Sequence, residues 1–219
     1  MKNKKTLLLC SYGLDPAQIT LETMNELKTC DAVFSGALEG GREELIRPYC
    51  RKLVITDGGR WESAAEKMFE AFKNFDKIAY LVYGNPFFLN PPALRLARKA
   101  KSLGIEFRVL AGISSFDAIV NQLGLGNFSA GGLRLINLGD GRRQERKLDA
   151  KLDTLFFSLW ILGGKHKAFL EEIRAAYGPR HPAFLIDHPR CARTTVGALE
   201  NALAAARLTT TLYLPAGKP

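Results

Sequence analysis

Three glycine-containing stretches of this chain each follow an apolar, strand-like run: SYGLDPAQITLE (Ser11 to Glu22), YGNPFFLNPP (Tyr83 to Pro92) and AGISSFDA (Ala111 to Ala118). Their residue types suit one task. Glycines let a ligand approach main-chain N–H and C=O groups, and prolines hold a turn in one shape. In open α/β sheets ligands bind beyond the carboxyl ends of the strands, so these turns are expected to line one pocket. None reads GxGxxG with an acidic residue at ribose distance, and none reads GxxxxGK[ST], which argues against a dinucleotide site and against a P-loop.

Groups able to move a proton are few. The histidines are His166, in a Lys-flanked loop, His188, ahead of a proline, and His181, in a His-Pro pair. The first two read as surface residues and the third as a turn. Tyr83 is the acid/base or orienting candidate, because its phenol precedes the Gly-Asn-Pro turn. No CxxC and no histidine at zinc-ligand spacing occurs, so no metal site is expected. Cys10, Cys30, Cys50 and Cys191 lie far apart and read as reduced thiols of a cytoplasmic protein.

The elements that must position these turns follow from periodicity. Apolar runs at Thr6–Ser11, Ala32–Gly36, Lys52–Thr56, Ile78–Gly84 and around EFRVLAG predict strands, alternating with helical patterns. One helix is expected to bury Ile19, Leu21, Met24 and Leu27, and another Ala65, Met68, Phe69 and Phe72. The near-continuous apolar run at 78–84 suits a parallel sheet covered on both faces. After Gly112 a second mixed set follows: strands at 133–139, 153–162, 183–187 and in TTTLYLPA, with helices between them and a last helix over VGALENALAAARL. We therefore expect two α/β domains, 1–111 and 112–219.

Composition sets the outer bounds. The chain has 219 residues, 24% of them charged, and a formal charge of +9. The cations are spread along the chain, and the cluster GDGRRQERKLDAK mixes in acids without interleaved aromatics, so nucleic acid is not the expected partner. No apolar run approaches the roughly 20 residues of a membrane span. The start MKNKKTLLLCSYG reads as a first strand, not an export signal.

Taken in order, the motifs resemble the tetrapyrrole (corrin/porphyrin) methylase superfamily. LLLCSYGLDPAQITLETMNELKTCDAVFSG looks like its opening strand, glycine turn, helix and second strand. YLVYGNP looks like its "v-G-D-P" or "v-Y-G-H-P" turn, LARKAKSLGIEFRVLAGISSFDAIVNQLGL like the segment ending "P-G-I-S-S", and TTTLYLP like the closing strand. YGNP and EEIRAAYGPRHPAFLID are similar to the borosin peptide α-N-methyltransferase branch. The opening motifs of the diphthamide-pathway and ribosomal-RNA branches are not seen.

The resemblance implies a fold of two α/β domains with S-adenosylmethionine in the cleft between them, S-adenosylhomocysteine as product, and a homodimer. It implies cofactor contacts, largely main-chain, from Tyr12, Gly13, Tyr83, Gly84, Asn85, Pro86, Ser114 and Ser115. It adds Leu159 and Trp160, of which Trp160 reads rather as core, and Thr210, Thr211 and Leu212 in the closing strand. Candidate catalytic residues are Tyr83, Arg60 and Tyr49. Two positions depart from the branch pattern: Trp61, in WESAAEKM, stands where a tyrosine is expected, and Ala111 replaces the proline. The implied activity is methylation of a precursor peptide, expected to be separate because the chain ends at TLYLPAGKP. The alternatives are a polycarboxylate tetrapyrrole as small acidic substrate, which suits the positive charge, or a cofactor-binding scaffold without catalysis.

Overall fold

The computed structural model describes residues 4–38, 40–56, 61–126, 131–140 and 148–217. The chain divides into two compact units, Met1–Asp117 and Ala118–Pro219.

The first unit is built on β1 (Thr6–Ser11), β2 (Ala32–Ser35), β3 (Leu53–Ile55), β4 (Lys77–Val82) and β5 (Glu106–Val109). They form one sheet in the order β3-β2-β4-β1-β5, with every pairing parallel. The alternation along β1 explains the layering, since successive side chains leave opposite faces of a strand. Leu7 and Leu9 enter one core with Met68 of α3 (Trp61–Ala71), with Phe72 just after that helix, and with Leu96 and Ala100 of α4 (Pro91–Ser102). Leu8 and Cys10 enter the other, with Leu27 of α1 (Leu21–Thr29) and Ile46 of α2 (Glu43–Ile46). Each fully buried leucine here contributes roughly 2 kcal/mol.

Helix starts follow local chemistry. Thr20 caps α1 by accepting the N–H of Thr23 at 3.1 Å, which leaves the expected core residue Leu21 in the first helical position, 76% exposed. Pro91 and Pro92 open α4, where a missing N–H costs nothing because first-turn donors have no partner within the helix.

The second unit carries β6 (Leu133–Asn137), β7 (Asp153–Phe157), β8 (Pro182–Asp187), β9 (Arg190–Thr195) and β10 (Thr211–Leu214), in the order β6-β7-β10-β8-β9. Only β6 and β7 are parallel; β10 runs antiparallel to both of its neighbours, and β8 to β9. Its core joins Phe156, Leu159, Ile173 and Leu212, with α6 (His166–Tyr177) packed over it.

Three sequence expectations change here. The run at 153–162 is strand only to Phe157: Ser158 takes a left-handed backbone (φ 62°) and residues 159–165 wind into 3-10 turns. The last helix shrinks to α7 (Glu200–Ala204) after a 3-10 turn at Val196–Ala198. Strand β9 was not expected; its sequence RCARTT lacks an apolar face because nearly all of it is exposed.

Candidate functional site

The three glycine turns meet at the carboxyl end of the first unit's sheet. β1 runs into Tyr12-Gly13, β4 into Tyr83-Gly84-Asn85-Pro86, and β5 into Ala111-Gly112-Ile113-Ser114. The order β4-β1-β5 makes them neighbours, and hydrogen bonds lock them together. The Tyr12 N–H donates to Val82 O at 3.2 Å, and the Gly84 N–H donates to Gly13 O at 2.9 Å. Asn85 Nδ2 donates to Gly112 O at 3.2 Å.

Asn85 also shapes its own turn. Its Oδ1 accepts the N–H groups of Phe87 at 3.0 Å and Phe88 at 3.1 Å, an Asx turn. Pro86 O then accepts Nδ2 of Asn90 at 2.9 Å. A second shape constraint comes from close approach: a Cβ on Gly112 would stand 2.5 Å from Ser11 Cβ and 3.4 Å from Pro86 Cδ. Ser11, fully buried, holds the first turn by accepting the Gly13 N–H at 2.8 Å.

The third turn ends in a capping box. Ser114 Oγ accepts the N–H of Asp117 at 3.2 Å, and Asp117 Oδ2 accepts both the N–H and the hydroxyl of Ser114 at 2.6 Å. This reciprocal pair starts α5 (Ser115–Leu123). Phe116 packs against Phe88 with ring centroids 6.3 Å apart, a further tie between the second and third turns.

The two tyrosines have different standing. Tyr12 is fully buried and its hydroxyl donates to Ala37 O at 2.7 Å. Its ring meets Tyr83 edge-on, with centroids 6.2 Å apart. Tyr83 is 40% exposed at the rim. Gly84 has a positive φ of 68° that favours glycine, and a Cβ there would find only Leu14 Cδ2, at 3.9 Å. A side chain on Gly84 would thus meet only an ordinary contact among the described residues, beside polar main chain, and this fits a cofactor held by backbone contacts.

Tyr49 is not brought to this end. It closes a 3-10 turn before β3, and the Lys28 ammonium at the end of α1 lies 5.7 Å from its ring centroid. Both precede the amino ends of their strands, and a six-residue strand such as β4 is roughly 20 Å long. Arg60 lies outside the described residues, as does the side chain of Trp61. Most of the basic cluster after Asp140 lies outside them too.

In the second unit Leu159 and Leu212 are fully buried in the core. Thr210 Oγ1 accepts the Arg207 N–H at 2.9 Å, and Thr211 begins β10. Trp160, read as core from its apolar run, is 48% exposed because the strand has already turned at Ser158. His181 has a structural partner: Nε2 donates to Pro215 O at 2.8 Å, with the Tyr177 ring 4.9 Å away. Tyr213 donates to Asp153 Oδ1 at 2.7 Å, and burial, reinforced by that carboxylate, holds its phenol well above the usual range. Among the described residues no metal-binding cluster occurs, and no helix is long and apolar enough to cross a membrane.

This combination of sheets and turns has close parallels among known proteins. The family model of the Tetrapyrrole (Corrin/Porphyrin) Methylases matches residues 7–197, and the chain belongs to that family. A solved cobalt precorrin-4 methyltransferase superposes with a TM-score of 0.75 at 18% identity, over 96% of this chain and 94% of that one. The uroporphyrin-III C-methyltransferase of Thermus thermophilus, solved with S-adenosylhomocysteine, gives 0.73 at 16% identity, over 96% and 97%. The human diphthine methyl ester synthase is 30% identical over 118 residues, covering 52% of this chain and 41% of its own. The Dendrothele bispora methyltransferase/ribosomally synthesized cyclic peptide dendrothelin A precursor is 22% identical over 96% of this chain and 57% of its own. The chain thus spans about two fifths to three fifths of the length of these curated relatives.

Proposed function

We propose that this protein is an S-adenosylmethionine-dependent methyltransferase acting on backbone amides of a peptide. The observation that carries the reading is the hydrogen-bonded set of turns, in which Gly84 joins Gly13 and Asn85 joins Gly112 around open main chain. Likeness to a methyltransferase/cyclic peptide precursor, over 96% of this chain and 57% of that one, supports the choice of acceptor.

When bound, S-adenosylmethionine supplies an electrophilic methyl on a sulfonium leaving group. The protein's share is alignment and exclusion of water. In this reading Gly13, Gly84, Asn85 and Pro86 hold the cofactor through main chain, with Ser114 and Ser115 framing the third turn. Tyr83, steadied edge-on by Tyr12, orients the acceptor amide and, acting as its phenolate, takes up the amide proton and becomes the neutral phenol as the nitrogen gains the methyl. The amide proton is very weakly acidic, so this help is needed for turnover. Cytoplasmic location and a homodimer belong to the same proposal.

A tetrapyrrole acceptor is the second reading, favoured by the fold of the solved neighbours and by the charge of +9. Transfer of labelled methyl to synthetic peptides or to uroporphyrinogen separates the two readings.

A further inference from the structure

The loop after the Gly-Asn-Pro turn holds a leucine where a glycine would fit with less strain. Leu89 has a φ of 53°, in the left-handed region, and a bulky residue there is a genuine outlier. The loop is closed tightly around it: Asn85 Oδ1 accepts the N–H of Phe88, and Asn90 Nδ2 donates to Pro86 O. Strain of this kind persists where a side chain is put to use. The use is not in the core, because Leu89 is 39% exposed.

Two further exposed apolar side chains share its surroundings: Phe87, two residues earlier, and Ile113, on the third turn. The second and third turns are packed together. Asn85 Nδ2 reaches Gly112 O, a Cβ on Gly112 would stand 3.4 Å from Pro86 Cδ, and Phe88 packs on Phe116. Phe87 follows Pro86 and Ile113 follows Gly112, so both side chains start from neighbouring backbone. Single exposed apolar residues are ordinary, whereas a group of them beside a ligand-holding turn marks a binding surface. Charge is missing from it. No Asp, Glu, Lys or Arg occurs from Tyr83 to Pro92 or from Ala111 to Phe116, and the Asp117 carboxylate is taken up by Ser114. An ionised group brought to these turns would lose water and find no counter-charge on them, whereas an apolar group gains by leaving water.

We propose that Leu89 is a specificity-determining residue: with Phe87 and Ile113 it receives an apolar side chain of the acceptor peptide, beside the amide to be methylated. The inference rests on the peptide methyltransferase reading and adds which side chain is taken. The test compares wild type, Leu89→Gly and Leu89→Met in melting midpoint, subunit number by light scattering, affinity for S-adenosylhomocysteine and methyl transfer. The acceptors are a leucine-containing synthetic peptide and the same peptide with aspartate in place of leucine. Wild type is expected to favour the leucine peptide by at least about tenfold in kcat/KM. Leu89→Gly relieves the left-handed backbone, so it should melt no lower than wild type. It should keep the subunit number, bind S-adenosylhomocysteine within about twofold, and lose about tenfold in kcat/KM on the leucine peptide, while Leu89→Met retains most of that activity. Equal use of both peptides by wild type overturns the proposal, and so does undiminished transfer by Leu89→Gly. A midpoint several degrees lower for Leu89→Gly overturns it by giving the side chain a role in the fold. A changed subunit number does so by making the rim a contact between copies, and a matching loss of S-adenosylhomocysteine affinity by making it part of the cofactor site. Wild type that binds S-adenosylhomocysteine but methylates neither peptide removes the acceptor, and the inference with it. Failure of the wild type to bind S-adenosylhomocysteine is a different result, because it overturns the methyltransferase reading itself.

Discussion

Asn85 reaches across from the turn after β4 to the turn after β5, its Nδ2 3.2 Å from the Gly112 carbonyl oxygen, while its Oδ1 holds the N–H groups of Phe87 and Phe88. One side chain thus sets the shape of one turn and its distance from the next. Asn85→Ala removes all three bonds and should cost about 1–3 kcal/mol of stability. Thermal unfolding reads this directly. Affinity for S-adenosylhomocysteine should fall at least about tenfold, because the turns no longer hold one geometry.

Gly112 is constrained by space. A methyl group there would press on Ser11 Cβ at 2.5 Å, and Ser11 is itself buried and bonded to the first turn. Gly112→Ala is expected to destabilise by about 1–3 kcal/mol, the usual cost of overpacking a tight site. Denaturant unfolding with an unchanged slope and a lower midpoint is the predicted outcome.

Tyr83 separates binding from chemistry. It is the exposed phenol at the rim that the proposed reaction needs. Tyr83→Phe should leave S-adenosylhomocysteine affinity within about threefold. Single-turnover methyl transfer to an acceptor peptide should drop by about a hundredfold or more. Equal transfer by both proteins would remove Tyr83 from the mechanism.

At the opposite end of the sheet Glu26 accepts from the Lys77 ammonium at 2.6 Å and from Arg108 at 2.9 Å. The hydrogen bond from Lys77 is the main influence holding its carboxyl below the usual value, with Arg108 adding to it and partial burial opposing. A lowered folded-state pKa stabilises the fold above the unfolded value of roughly 4.3, and that stabilisation is lost as pH falls through the folded pKa. Glu26→Gln should therefore flatten the loss of stability below about pH 4, while costing about 1 kcal/mol or less near neutrality. Melting midpoints measured from pH 3 to 7 check both parts.

Much of this architecture was legible in the sequence where burial is one-sided or complete. β1 and β4 are apolar on both faces because helices cover both, and the glycine turns stand out because strand runs stop at them. What stayed hidden has physical reasons. RCARTT carries no apolar alternation, since β9 is an exposed edge held by main-chain bonds to β8. Nothing in FFSLWIL marks the left-handed turn at Ser158, so Trp160 read as core. Nothing in the sequence shows that the Tyr12 hydroxyl donates to Ala37 O, a bond that leaves its main chain for the cofactor contact expected of it. Tyr49 is near Trp61 in sequence, yet its turn precedes β3, which places it at the other end of the sheet.

The central claim is that the joined turns of Gly13, Gly84 and Gly112 hold S-adenosylmethionine. Titration calorimetry of the purified protein with S-adenosylmethionine and S-adenosylhomocysteine tests it most directly. The account predicts one saturable site with affinity on the order of micromolar. No heat of binding for either compound up to millimolar concentration would contradict it.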